Sequence, residues 1–234
     1  WLTDKAGMQP IDRLVFLNGM SEDEKNIAPW TIGELKFIRL WYLALGGLSI
    51  PLFLIVITIS AYKLMIAGVG NPGLRSEAID SIWRWFGALA IVIVAPLLIQ
   101  ALMSLVGIIL DGIQVGYVAV SNAAGNPRPI GDLGQINFDN VVTGSVLGTA
   151  IVKCMLMFIY LWLNTIYLVR KLALSVMFCF TPFMAIMWAM NKNVNAAAIW
   201  AGELASNAFM PVAHALVLCL VLGLCDVKNI GNGS

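Results

Sequence analysis

Long runs of apolar residues, separated by short polar segments, dominate this chain. Residues 41–62 and 85–110 contain no charged side chain. Each run is long enough to cross the hydrocarbon core of a membrane, which takes about 20 residues as an α-helix. The Gly70-Asn71-Pro72-Gly73 sequence between them is typical of a turn, because glycine tolerates positive φ and proline ends helices. We therefore predict a membrane-spanning hairpin, whose turn includes Lys63, Gly70, Asn71, Pro72 and Arg75.

Three further apolar runs follow the hairpin, and short polar segments delimit them. The pattern predicts an all-α, polytopic integral membrane protein with about five transmembrane helices. The predicted spans cover residues 32–67, 76–118, 144–169, 172–190 and 196–225. Around this membrane domain (residues 31–225) we expect an amphipathic N-terminal segment at 1–30, an external loop at 121–143 and a polar tail at 226–234.

Composition supports a membrane protein and excludes other classes. Of the 234 residues, 60% are hydrophobic and only 12% are charged, whereas soluble domains have about a quarter charged. The net charge of +1 gives no basic field of the kind that nucleic-acid-binding proteins carry, so we expect no direct sequence-specific binding of nucleic acid. Four cysteines lie in or at the ends of apolar runs and are predicted to be buried free thiols: Cys154, Cys179, Cys219 and Cys225.

Lysine and arginine positions predict the orientation, because basic residues favour the cytoplasmic side. The hairpin turn carries Lys63, Arg75 and Arg84, whereas the 121–143 loop carries only Arg128. A second basic turn is predicted at Arg170-Lys171. With both basic turns inside, the N-terminus lies outside and the C-terminus inside.

Polar residues inside the last predicted span are the best candidates for chemistry. Glu203, Asn207, Pro211 and His214 fall within about 80° of one another on a helix and so share one face. They could line a polar passage or proton relay, or they could form a stripe of interhelical hydrogen bonds. Lys153, the single charge in the third run, could pair with Glu203 or extend its amine to the membrane surface.

Small residues recur where helices could approach one another closely. Gly46 and Gly47 lie in the first span, and Ala197, Ala201 and Ala205 follow one another at four-residue spacing in the last. We therefore predict helix–helix packing into a homo-oligomer, or with other subunits, within membrane lipid. The chain has one histidine and no enzyme motif or metal-ligand spacing. We expect no enzyme activity, no metal and no cofactor, although a bound phospholipid would be compatible with the pattern.

The predicted hairpin contains a pattern of small, basic and apolar residues over roughly residues 55–100: Ala61-Tyr62-Lys63-Leu64-Met65-Ile66-Ala67-Gly68, Gly70-Asn71-Pro72, Arg75, Glu77-Ala78 and Trp85-Phe86-Gly87-Ala88-Leu89. This pattern resembles the two-helix hairpin of conjugative pilins, in which a small basic cytoplasmic turn joins two membrane helices.

The C-terminal half contains three further stretches of note: Arg170-Lys171-Leu172-Ala173-Leu174, Phe180-Thr181-Pro182-Phe183-Met184-Ala185 and Ala198-Ile199-Trp200. Through them this half is similar to the polytopic inner-membrane channel subunit of type IV secretion systems, which is a second resemblance. It implies a subunit of the bacterial cytoplasmic membrane with about five spans, an external N-terminus and an internal C-terminus. It also implies a role in moving DNA or protein across the cell envelope, with partner subunits and a separate energising ATPase.

Our first hypothesis is a non-catalytic membrane subunit of a conjugation-type secretion apparatus, acting in a channel or a filament. The second is a small-solute or ion transporter with Glu203, His214 and Lys153 as its polar centre. The third is a holin-like or scaffold protein. A transporter should bring the three polar residues together at mid-membrane, whereas a structural subunit should leave them apart.

Overall fold

All secondary structure in the described part of the chain is helical. The structure is a computed structural model that describes residues 9–67, 72–123, 145–190 and 196–231. At positions 67, 72, 74, 75, 78, 196 and 222–231 it describes the backbone alone. Two short helices, α1 (Ile11–Phe16) and α2 (Glu22–Lys25), precede four long ones: α3 (Ile32–Ala67), α4 (Pro72–Ala123), α5 (Val146–Met190) and α6 (Ala196–Gly231).

Each of the four long helices is apolar and long enough to cross a membrane. The candidate spans are Ile32–Ile66, Ile79–Ala123, Val146–Met190 and Ala197–Val221. A helix suits this environment because its backbone groups bond to one another and need no water. The predicted all-α class is confirmed, and the four candidate spans are what an integral membrane protein requires.

The predicted number of about five spans is wrong. The third and fourth predicted spans, 144–169 and 172–190, belong to the single 45-residue helix α5. Arg170 and Lys171 lie inside this helix and form no turn. Arginine and lysine are good helix formers, so charge alone does not end a helix. Arg170 is also only 4% exposed, because its charge is satisfied inside the protein and not by water at a loop.

This correction bears on the predicted orientation. Without a turn at Arg170-Lys171, the hairpin turn is the only basic turn left in the charge count. If each of the four helices crossed a membrane once, both chain ends would lie on the same side. Termini on opposite sides require an odd number of crossings. An external N-terminus with an internal C-terminus therefore stays a prediction, and the helix count no longer supports it.

Helix ends differ from the predicted boundaries mainly at α4 and α6. Helix α3 covers the predicted 32–67, whereas α4 extends five residues past 118 to Ala123 and includes the start of the predicted 121–143 loop. The remainder of that loop, residues 124–144, lies outside the described residues. Helix α6 continues to Gly231 through most of the predicted polar tail.

The chain divides into two compact units, and helices α4, α5 and α6 each contribute to both. We call the first the N-terminal unit; its described residues are 9–29, 103–123, 145–172 and 208–231. We call the second the hairpin unit; its described residues are 30–67, 72–102, 173–190 and 196–207.

Aromatic rings and small residues form the core of the hairpin unit. Its buried cluster consists of Phe53, Trp85, Ala88, Ala185, Ile186 and Ala189. A Cβ added at Gly87 would lie 3.0 Å from two ring carbons of Trp188, so only glycine lets this indole pack so closely on α4. Phe178 is fully buried, and its ring meets those of Trp30 and Tyr42 edge-on, with centroids 6.0 and 5.4 Å away.

The N-terminal segment (residues 9–29) packs inside the N-terminal unit. This is the segment predicted to be amphipathic, and its apolar residues are buried: Ile11, Val15, Phe16 and Leu17 are at most 7% exposed. Helix α2 starts with a capping box, in which Ser21 and Glu24 bond reciprocally to each other's backbone N–H. The segment therefore belongs to the folded helical protein.

Candidate functional site

A polar cluster lies where α5 meets α6 in the N-terminal unit, and we call Tyr167, Arg170 and His214 the Tyr-Arg-His cluster. Tyr167 and Arg170 are buried, and His214 is partly buried. The Tyr167 hydroxyl lies 3.1 Å from Nδ1 of His214, a hydrogen-bond distance. The Arg170 guanidinium carbon lies 5.8 Å from the centre of the Tyr167 ring, within the range of a cation–π contact. One turn of α5 thus presents a cation and a hydroxyl to α6.

The Arg170 guanidinium also bonds to the backbone of α6. One of its nitrogens donates to the carbonyl oxygen of Ala208 at 3.2 Å, and the contact is buried. Ala208 lies in the turn before Pro211, which has no N–H to donate within the helix. Carbonyl groups in such a turn commonly take other donors. The arginine therefore joins α5 to α6 at the proline of α6.

The sequence prediction singled out only His214 of this cluster. It includes no role for Tyr167, and it places Arg170 in a cytoplasmic turn, whereas the structure places both side chains inside the protein. The sequence carries a usable signal, because an arginine within a long apolar stretch is costly unless it faces protein or water. What the sequence could not supply was its partner, since Ala208 is 38 positions away along the chain.

The four residues predicted to share one face of α6 differ in how far they are exposed. Glu203 is exposed, Asn207 and His214 are partly buried, and Pro211 is buried. The Asn207 amide donates to the backbone carbonyl of Glu203 at 2.9 Å, a bond within its own helix. The ion pairs among the described residues join Lys25 to Glu22 and Asp111 and include neither Glu203 nor Lys153. Because Glu203 and Lys153 belong to different units, their pairing stays a prediction.

Lys153 and His214 both belong to the N-terminal unit, but they lie far apart. His214 contacts Tyr167, which follows Lys153 by 14 residues on α5. At about 1.5 Å per residue, that spacing is about 21 Å along the helix axis. These two residues cannot share one small polar centre.

The residues predicted for the hairpin turn are only partly described. Lys63 is exposed on the last turns of α3, and Pro72 begins α4. Arg75 is part of α4 by its backbone. Gly70 and Asn71 lie outside the described residues.

The small residues predicted for helix packing are accessible from outside. A Cβ added at Gly46 or Gly47 would have no neighbouring atom within 4 Å. On α6, Ala201 is exposed, and Ala197 and Ala205 are partly buried. These positions leave room for another helix to approach.

The described residues offer neither a metal site nor a disulfide. They contain no group of three or more histidine, cysteine or carboxylate side chains that could hold a metal ion. Cys154, Cys179 and Cys219 are free thiols, as predicted. Cys154 is exposed, and Cys179 and Cys219 are partly buried, which corrects the prediction that these three thiols are buried. The side chain of Cys225 lies outside the described part of the structure.

A second polar region connects the N-terminal segment to the long helices. Within it, Gln114 on α4 donates to the Phe16 carbonyl at 2.7 Å, and the Tyr160 hydroxyl on α5 donates to the Gln9 carbonyl at 2.7 Å. The Lys25 amine lies 3.2 Å from Asp111 on α4. Burial lowers the pKa of Lys25, but its hydrogen bonds and attraction to Asp111 and Glu22 outweigh this and raise it above the ordinary 10.5.

No protein-family model matches this chain, and neither does any curated protein or solved structure.

Proposed function

We propose that the chain is a non-catalytic membrane subunit of a conjugation-type, type IV secretion apparatus in a bacterial cytoplasmic membrane. In this proposal it forms or lines an oligomeric translocation channel, or enters a filament, by packing its helices against copies of itself or other subunits. The residue patterns of the hairpin and of the C-terminal half motivate the type of apparatus. The surface of the long helices is the observation that carries an assembly role.

That surface is apolar and little covered by the chain itself. In the most apolar window of each candidate span, only 6–22% of the residues are buried. Helix α5 is the extreme case, since its window is 6% buried although the helix is 45 residues long. Membrane lipid covers such faces, and helices of neighbouring subunits can replace it where small residues permit close approach.

The transporter alternative has less support from the geometry. It requires Glu203, His214 and Lys153 to act at one place, yet about 21 Å of α5 separates Lys153 from the partner of His214. His214 is engaged with Tyr167 next to a guanidinium that bonds to backbone. That arrangement serves helix–helix packing better than solute binding.

Single-particle imaging of the protein in lipid nanodiscs tests the proposal, and we expect a ring or a filament. Ala201→Leu should shift the particles to smaller species, because its side chain would fill the approach beside Ala197 and Ala205. Ala213→Leu is the matched control, since Ala213 is also exposed on α6 but lies about 120° around the helix. Monomers that persist in both variants and in the parent protein would refute an assembly role.

A further inference from the structure

A small polar cavity lies in the hairpin unit, near the C-terminal ends of α3 and α5 and the first turns of α4. It has a volume of about 70 Å³ and is lined by Ser60, Lys63, Glu77, Ser81, Arg84, Ala189 and Met190. A single water needs only about 10–15 Å³ measured in this way, so the cavity can hold a group of several heavy atoms.

Helix geometry brings the polar lining together. On α4, Glu77, Ser81 and Arg84 follow at spacings of four and three, so they share one face. On α3, Ser60 and Lys63 are three residues apart and face them. The Ser60 and Ser81 hydroxyls lie 3.2 Å apart, which fixes the two helices at the inner end of the cavity.

The charge of the cavity favours an anion. Lys63 and Arg84 contribute two positive charges and Glu77 contributes one negative charge. Among the described residues, the ion pairs involve neither Lys63 nor Arg84. A guanidinium, an ammonium and the one hydroxyl hydrogen that the Ser60–Ser81 bond leaves available are donors that suit the oxygens of a phosphate group, and arginine can bind two of these oxygens at once.

The surroundings indicate where such a phosphate would come from. The apolar stretches of α3 and α5 end here, at Ala67 and Met190. Tyr62 and Trp83 flank the two cations and are 61% and 74% exposed. Exposed tyrosine and tryptophan at the end of a membrane helix are typical of the headgroup level of a bilayer.

We propose that this cavity binds the phosphate of an anionic membrane lipid, with Arg84 and Lys63 as the charged ligands and one hydroxyl of the Ser60–Ser81 pair as a further donor. The site belongs to one copy of the chain, so it does not depend on the proposed function. Its ligand chemistry, a phosphate group, is shared by lipid headgroups and free phosphate, and the experiment separates the two.

Native mass spectrometry of the full chain in detergent tests the site with three probes: phosphatidylglycerol, phosphatidylcholine and inorganic phosphate. We expect the protein to bind one molecule of phosphatidylglycerol tightly and to bind phosphatidylcholine more weakly. The double variant Lys63→Gln/Arg84→Gln should bind phosphatidylglycerol at least about tenfold more weakly than the parent protein does, since each of the two substitutions removes a charged hydrogen bond to the phosphate. Arg84→Lys keeps the charge but loses the two-point contact of a guanidinium, so it should bind phosphatidylglycerol more weakly than the parent protein and more tightly than the double variant.

Lys36→Gln is the matched control, because Lys36 is an exposed cation on the first turns of α3, outside the cavity. If the double variant does not fold, the single variant Lys63→Gln tests the site, and we expect it also to bind phosphatidylglycerol more weakly than the parent protein. Lys63 is exposed, so this substitution leaves the core intact. Binding of inorganic phosphate with the same dependence on Lys63 would place a free phosphate at the site. Lipid binding that is unchanged in the variants, or equally weakened by Lys36→Gln, would overturn the proposal.

Discussion

The N-terminal unit and the hairpin unit differ in the kind of contact that stabilises each of them internally. In the N-terminal unit, side chains such as Gln114, Tyr160 and Arg170 bond to backbone carbonyls of other segments. In the hairpin unit, aromatic rings and small residues fill the space between helices, as at Phe178 and Gly87. Its polar contacts include the bond from Trp30, which precedes α3, to Ser175 on α5 and the bond from Tyr42 on α3 to the carbonyl of Val92 on α4.

The difference follows from what each unit contains. A long helix satisfies its own backbone, so helices that meet one another need only complementary shapes. The N-terminal segment consists of two short helices and the turns beside them, and the ends of short helices leave carbonyl groups without a helical partner. The carbonyl groups of Gln9 and Phe16 accept hydrogen bonds from side chains of the long helices. The helices around the segment therefore supply polar side chains at those points. The polar residues Gln114 on α4 and Tyr160 on α5 therefore lie at the points where the N-terminal segment packs on these helices.

Removing an aromatic ring from the hairpin unit should have the largest effect. Phe178→Ala deletes a fully buried ring that contacts Trp30 and Tyr42. We expect the free energy of unfolding to fall by about 3–5 kcal/mol, measured by denaturation in detergent. Phe180→Ala is the control, because Phe180 is 53% exposed on the same helix. Equal losses in both variants would mean that ring packing does not distinguish this unit.

An intermediate effect is expected where α4 holds the N-terminal segment. Gln114→Leu leaves the buried Phe16 carbonyl without its side-chain donor, which costs about 1–3 kcal/mol. Hydrogen exchange should accelerate in residues 11–29 and stay unchanged in the hairpin unit. Gln100→Leu alters the same helix at a partly buried glutamine in the hairpin unit and should leave this segment protected. Exchange that accelerates in both units alike would contradict the comparison.

The same contrast explains what the sequence could and could not predict. The limits of α3 follow from local pattern alone, and the observed Ile32–Ala67 matches the predicted span. The break at Arg170-Lys171 was predicted from charge, but the structure continues the helix because Arg170 bonds to Ala208 and packs on Tyr167. Such partners depend on tertiary packing, which periodicity does not report. By contrast, the spacing of Glu77, Ser81 and Arg84 on one face was visible in the sequence, and the structure added the facing serine and lysine of α3.

The smallest effect on the free energy of unfolding is expected at the partly exposed ion pair of α2. This pair contributes to the polar contacts of the N-terminal unit, and its contribution depends on pH and salt. Lys25→Met removes the contacts to Asp111 at 3.2 Å and to Glu22 at 3.5 Å. Since the Lys25 side chain is 21% exposed and that of Asp111 44% exposed, water and salt screen the pair. We expect a loss of about 0.5–1 kcal/mol in the free energy of unfolding at low ionic strength, and less at high ionic strength.

The pH dependence of that loss has a definite sign. Burial lowers the pKa of Lys25, but hydrogen bonding and attraction to Asp111, with a further contribution from Glu22, leave it raised above 10.5 in the folded protein. A raised pKa means that the folded state binds the proton more tightly than the unfolded state does. The stabilisation is therefore complete below about pH 10.5 and is lost as the pH rises through the folded-state pKa. The parent protein and Lys25→Met should differ at neutral pH and converge in strong alkali, whereas the effect of Gln114→Leu, a variant that changes no titrating group, should persist there.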